Sequence, residues 1–270
     1  MSAKAVPAGF RRYVAIGDST TEGLDDPYPR SGEPRGWADR LAERLSADAP
    51  AFGYANLAIR GRKVAQIRAE QLEPALALAP DLASVVGGLN DILRPSVDVA
   101  TVAADLEAMV AALRDRGATV LVMTYPDPTA VITIAGKRVR DRVGTLNREI
   151  RRIAAARGAR LIELEREGVA HPALWSPDRL HANSLGHERI AAAAAEALEL
   201  PGATAIWTEP LPEAVVRGRL ARAAEDSVWT ARHLAPWLVR RVRGRSSGDG
   251  RSAKRPALAP VIRGSADPSE

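Results

Sequence analysis

The chain has 270 residues, no cysteine and four histidines, which excludes disulfides and argues against a structural zinc site. Its formal charge of +5 is carried by residues 205–270, with 12 basic and 7 acidic side chains, while the first 204 residues hold 26 of each sign. The main body is therefore neutral and gives no sign of a specific nucleic-acid partner, and no apolar run approaches the 18 residues of a membrane span.

The opening MSAKAVPAGFRRY lacks an apolar segment of the secretory kind, so a cytoplasmic location is the expectation. YVAIG, residues 13–17, reads as a buried strand. Residues 36–47 place Trp37, Leu41 and Leu45 at four-residue spacing, the signature of one helix face. GYANLAI at 53–59 is a second strand. A helix follows over 63–77 with Val64, Ile67, Leu72 and Leu76 inward, and Pro74 leaves its last turn undecided. DLASVV at 81–86 is a third strand, ending at Gly87 and Gly88. Residues 99–116 form a helix with Val102, Leu106, Met109, Val110 and Leu113 on one face, stopped by Gly117. TVLVMT at 119–124 is the clearest β-branched run. An amphipathic helix over 139–157, a fifth strand at 159–164 and a closing helix at 184–198, capped by Asn183 or Ser184, complete the series.

Strands alternating with helices imply parallel pairing and right-handed crossovers, hence an α/β fold built as a three-layer α/β/α sandwich around a parallel five-stranded sheet. Ligands in such sheets bind beyond the carboxyl ends of the strands. Ser19 falls there after strand one, Asn90 after strand three, and Asp178 and His181 after strand five. A serine hydroxyl needs a base within about 3 Å, and His181 is the candidate. Asp178, three residues earlier, can accept from the second ring nitrogen and fix the tautomer. The backbone N–H of Ser19, the N–H of Gly61 and the side-chain amide of Asn90 are candidate donors to a developing oxyanion. Asp18 is expected to serve the turn or helix start, Asp91 to support its loop, and His187 to pack or cap at the start of the closing helix. A metal bound by Asp178, His181 and His187 is the competing use of the same groups.

These blocks resemble the SGNH hydrolase superfamily, the GDSL esterases and lipases. GDSTTEG is similar to its first block, NLAIRG to its second, GGLND to its third and DRLHANSLGH to its fifth. The resemblance covers residues 12–198. It implies a flavodoxin-like SGNH fold, Ser19 as nucleophile, Asp178 and His181 as its triad partners, and Ser19, Gly61 and Asn90 as the oxyanion hole. Thr20 stands where the common motif has leucine, a position that tolerates other residues in relatives. The GxSxG elbow of α/β-hydrolases is absent around Ser19.

The implied reaction is hydrolysis of a carboxylic ester through an acyl-Ser19 intermediate, without metal or organic cofactor. Small-molecule and lipid esters both remain open as substrates. So do O-deacetylation of a sugar or small metabolite and a non-catalytic binding role on the same scaffold. Arg60, Arg62 and Arg94 near the site admit two readings, anion binding or surface ion pairs. Residues 126–136, with Val131, Ile132 and Ile134, are a candidate lid or apolar wall, and Trp175 a candidate lining residue.

The organisation read from the sequence is a hydrolase domain over 1–204, a basic amphipathic extension over 205–243 and a flexible tail over 244–270. Val228, Leu234, Trp237, Leu238 and Val242 can form an apolar surface interrupted by Pro236. That surface can pack on the domain, make a dimer contact or rest on an anionic membrane through residues 228–243.

Overall fold

The computed structural model describes residues 9–49, 51–127, 136–166, 169–212, 218–236, 239 and 246–261. Five parallel strands form the centre: β1 (Arg12–Gly17), β2 (Gly53–Asn56), β3 (Leu82–Val86), β4 (Thr119–Met123) and β5 (Arg160–Ile162). Their spatial order is β5-β4-β3-β1-β2, and β1 pairs in parallel with both β2 and β3. The strand order reverses beside β1, so the crevice at the carboxyl end of β1 is the topological switch point of the sheet.

Helix α1 (Ser19–Glu22) is a single turn directly after β1. The longer helices are α2 (Gly36–Leu45), α3 (Val64–Ala77), α5 (Val99–Asp115), α6 (Gly136–Arg157) and α7 (Ser184–Ala197), with the one-turn α4 (Leu89–Ile92) after β3. Helix α2 packs against α7 on one side of the sheet, and α3, α5 and α6 pack in sequence on the other. This is the three-layer α/β/α sandwich expected from the alternation. The core is continuous and includes Tyr13, Ile16, Trp37, Ile67, Leu82, Met109, Leu113, Leu121 and Leu146, all fully buried. Helices α2, α3 and α5 bury the apolar faces that their spacing predicts, with Leu45 and Leu76 only partly buried at the helix ends.

Several details differ from the sequence reading. Helix α3 continues through Pro74, which lies on its exposed face, where water can satisfy the backbone group that proline leaves unpaired. The second strand ends at Asn56 rather than 59. The sheet also has six strands, not five. Residues Arg255–Pro260 form β6, antiparallel to β2 at the sheet edge, with Gly53 opposite Pro260 and Tyr54 opposite Ala259. The stretch 244–270, expected to be flexible, therefore contributes to the sheet. Its two prolines suppress the strand signal, yet an edge strand tolerates them because one side makes no ladder bonds.

The last helix, α8 (Arg219–Trp229), runs into a wide π-type turn at Thr230–Leu234. No helix among the described residues is long and apolar enough to cross a membrane.

Candidate active site

The carboxyl end of β1 and the turn after it are fixed by groups from α3 and β2. Gln71 of α3 pairs twice with Gly17, accepting from its N–H at 2.8 Å and donating to its carbonyl at 3.0 Å. A Cβ at Gly17 would lie 2.5 Å from the Val86 carbonyl oxygen, so only glycine allows this approach of β1 to β3. Asp18 caps α1 by accepting from the Thr20 N–H at 3.1 Å. Asn56, at the end of β2, donates to the Thr21 carbonyl at 2.8 Å. Ser19 is thereby held as the first residue of α1, above the sheet.

The Asp178 and His181 pair arrives from the loop before α7. Asp178 Oδ1 accepts from the N–H groups of Leu180 at 2.9 Å and His181 at 3.0 Å, while its Oδ2 lies 2.6 Å from His181 Nδ1. His181 Nε2 is 2.9 Å from Ser19 Oγ, across 162 residues of sequence. A small antiparallel bridge between Trp175 and Ala182, and the Ser176 N–H donating to the His181 carbonyl at 2.9 Å, close the base of this loop. Asn183 then caps α7 by accepting from Gly186.

Burial disfavours the charged imidazole of His181, but the bond and charge of Asp178, with Asp25 and Asp18 further off, outweigh it and raise its pKa. Burial likewise pushes Asp178 up, but its bond to His181 and the two amides bring it below the usual carboxylate value. Burial pushes Asp18 up to about 6, against its bonds from Thr20 and Asn90.

Gly61 and Asn90 reach the same crevice. Gly61 sits at φ +74° after β2, and among the described residues no protein acceptor takes its N–H or that of Ser19. The Asn90 side-chain N–H₂ donates to Asp18 Oδ2 and to the Arg62 carbonyl, both at 3.1 Å. Asn90 thus ties the first, second and third blocks together. Asp91 accepts from the Val64 N–H at 3.0 Å, so it holds the start of α3.

Two of the three arginines beside the site, Arg60 and Arg62, are engaged in ion pairs. Arg60 pairs with the buried Glu22 through both its guanidinium and its backbone N–H. Arg62 pairs with Glu70 at 2.8 Å and faces Asp249 at 3.6 Å. Arg94 is exposed. Of the three ligand types weighed for a metal, His187 is elsewhere: its Nδ1 accepts from the Trp37 N–H at 3.1 Å, so Nε2 carries the proton donated to the Leu24 carbonyl at 2.9 Å. Burial pushes its pKa down to about 4. The carboxylate that does approach the pair is Asp25, 3.9 Å from His181 Nδ1; the ligand atoms of Asp25, Asp178 and His181 lie within 4.8 Å of one another. Residues 128–135, the body of the suggested lid, fall outside the described residues.

Sequence reasoning missed Asp25, Glu22 and Gln71. Asp25 carries no periodic or motif signal, and the roles of the other two depend on which backbone groups the fold leaves unpaired.

The GDSL-like Lipase/Acylhydrolase family matches residues 15–189, and the chain belongs to that family. It is a carboxylic ester hydrolase of the GDSL/SGNH type. Similar solved structures include an acetylxylan esterase, Axe2, from Geobacillus stearothermophilus, with 20% identity over 74% of this chain and 96% of that one and a TM-score of 0.58. LAE5, described as an alpha/beta hydrolase enzyme from the metagenome of Lake Arreo, Spain, has 22% identity over 70% and 95% and a TM-score of 0.58. TesA has 23% identity over 70% and 98% and a TM-score of 0.57. At these identities the likeness concerns the fold. No curated protein sequence matches the chain.

Proposed function

We propose that the protein hydrolyses its ester through an acyl-Ser19 intermediate. The observation that carries this reading is the continuous relay from Ser19 Oγ to His181 Nε2 at 2.9 Å and from His181 Nδ1 to Asp178 at 2.6 Å. His181 accepts the Ser19 proton as Oγ attacks the carbonyl carbon. The tetrahedral oxyanion is met by the N–H groups of Ser19 and Gly61 and by Asn90, whose amide exchanges one of its resting acceptors for the oxyanion. Collapse breaks the ester C–O bond, and His181 gives its proton to the leaving alcohol. It then takes a proton from water, which attacks the acyl carbon, and returns it to Ser19 Oγ as the acid departs. Asp178 stays ionised and keeps the Nδ1–H tautomer in place. The ion-paired state of Arg60 and Arg62 argues for a neutral ester near Gly61 rather than an anionic one.

A small acyl group on a polar alcohol is the second reading, supported by the fold shared with acetylxylan esterases. Both are tested by initial rates on p-nitrophenyl esters from acetyl to palmitoyl, for the native chain and Ser19→Ala. Turnover that disappears in the variant is expected, and its dependence on acyl length separates acetyl from lipid substrates. Equal rates in the two proteins refute the nucleophile.

Residues 228–243 stay a candidate contact with a second copy or a membrane surface. Val228 and Val239 are exposed there, whereas Trp237, Leu238 and Val242 lie outside the described residues. Sedimentation analysis and vesicle co-pelleting separate the two.

A further inference from the structure

Two loops carry the groups of the proposed hydrolase, and both meet the chain that follows α7. The Asp178–His181 loop contains Arg179 in the left-handed region, at φ +59°. Such backbone is costly for a side-chain-bearing residue and persists only where surrounding contacts enforce it. Those contacts come from α8. The indole N–H of Trp229, a buried side chain, donates to the Asp178 backbone carbonyl at 2.9 Å. Arg179 lies over the same ring, 5.5 Å from its centroid, and pairs with Asp226 on α8.

On the other side of the crevice, residues 246–250 form a turn against the Gly61 loop. Ser246 Oγ donates to the Gly61 carbonyl at 3.2 Å and accepts from the Gly248 N–H at 3.2 Å. A Cβ at Gly248 would stand 2.1 Å from the Arg60 carbonyl oxygen, and one at Gly61 would stand 2.4 Å from Ser246 Oγ, so the two backbones are in direct contact. Asp249 faces Arg62. The turn is fastened behind by Lys254. Its ammonium pairs with the buried Asp39 at 2.8 Å and donates to the carbonyls of Pro34 and Arg35, both at 2.9 Å. The structural neighbours are covered over 95–98% of their own length by 70–76% of this chain, so about a quarter of it or somewhat more has no counterpart in them.

We propose that helix α8 and the turn at residues 246–250 form a clasp on the active site, in which Trp229 and Ser246 are positioning residues for the Asp178–His181 arm and for the Gly61 donor. This rests on the acyl-Ser19 reading. Misplacing a reacting group by 1 Å costs on the order of a hundredfold in rate, so a clasp contributes through geometry without touching substrate. His181 is faced by Asp178 on its own loop and by Asp25 and Asp18 across the crevice, so the place in which α8 holds the loop bears on all three contacts.

The test compares Trp229→Phe, Ser246→Ala and their combination with Ala224→Ser, at an exposed position on the same helix. Two readouts are needed: kcat and KM on p-nitrophenyl acetate, and the His181 pKa by NMR titration without substrate. Trp229→Phe keeps an aromatic face for Arg179 and removes the N–H donor together with the five-membered ring of the indole. Its kcat is expected to fall about 5- to 10-fold, the worth of one hydrogen bond, with KM within about twofold and the His181 pKa lowered. Ser246→Ala should lower kcat about fivefold and leave that pKa in place, and the double variant should show close to the product of the two losses. Ala224→Ser should match the native chain. Melting temperatures that fall while kcat and the His181 pKa stay native would overturn the clasp. If the native chain shows no Ser19-dependent turnover, the esterase reading fails, and an unchanged His181 pKa in Trp229→Phe still decides against the clasp.

Discussion

Replacing Asp178 by asparagine tests which carboxylate orients His181. Two are available: Asp178 at 2.6 Å from Nδ1, and the more exposed Asp25 at 3.9 Å. The backbone N–H groups of Leu180 and His181 both point at Asp178 Oδ1. In Asp178→Asn the side-chain oxygen keeps that place, so the NH₂ group takes the position of Oδ2 and faces Nδ1. It can only donate, which turns Nδ1 into an acceptor and moves the ring proton to Nε2, facing Ser19. The imidazole is then the wrong tautomer for a base, and the charge that stabilises imidazolium is gone. A charge-assisted bond is worth about 2–3 kcal/mol, and with the tautomer cost the total is about 4 kcal/mol, or roughly a thousandfold in kcat/KM. Asp25→Asn removes a screened interaction worth less than about 1 kcal/mol, a loss below about fivefold. The assay is kcat/KM on p-nitrophenyl acetate, with circular dichroism melts to confirm folding. A folded Asp178→Asn enzyme within tenfold of native would refute this reasoning. So would a larger loss in Asp25→Asn, which would assign the orienting role to Asp25.

The pH dependence of kcat/KM should show an acid limb above the ordinary histidine value, because His181 must be neutral to accept the Ser19 proton and its pKa is raised; a limb at or below that value would count against Asp178 as its partner. His187 makes the opposite contribution to stability. The unfolded chain binds its proton near pH 6.5 and the folded chain only near 4, so the stability His187 confers is present above 6.5 and is lost as pH falls toward 4. Denaturant titrations of the native chain and His187→Gln at pH 7 and 4 should show their difference shrinking by about 3 kcal/mol at acid pH, and a pH-independent difference would contradict it. Lys254→Met leaves Asp39 with the hydroxyls of Tyr28 and Tyr54 and with Arg255 at 3.8 Å, but without its nearest cation. With Arg255 still in reach, that substitution should cost about 2 kcal/mol and speed hydrogen exchange at residues 255–260, and unchanged exchange would show that β6 is held without the ion pair.

The sequence alone determines the alternation of strands and helices, because burial of one face imposes a period that can be counted residue by residue. It also places Ser19, Gly61, Asn90, Asp178 and His181 in the segments that follow strands, where the chain must turn and polar groups are tolerated. Tertiary structure decides what those residues meet. The distance between Ser19 and His181 depends on two loops 162 residues apart in sequence, and the approach of Asp25 on a turn that no period marks. The same limit governs the C-terminal part. RPALAP reads as a proline-broken coil because strand propensity is local, and it becomes a strand because β2 offers an unpaired edge and Asp39 a buried charge that Lys254 neutralises. Trp229 belongs to an amphipathic stretch whose buried side is set by its partner; only the Asp178 carbonyl, brought there by the fold, shows why that indole turns inward.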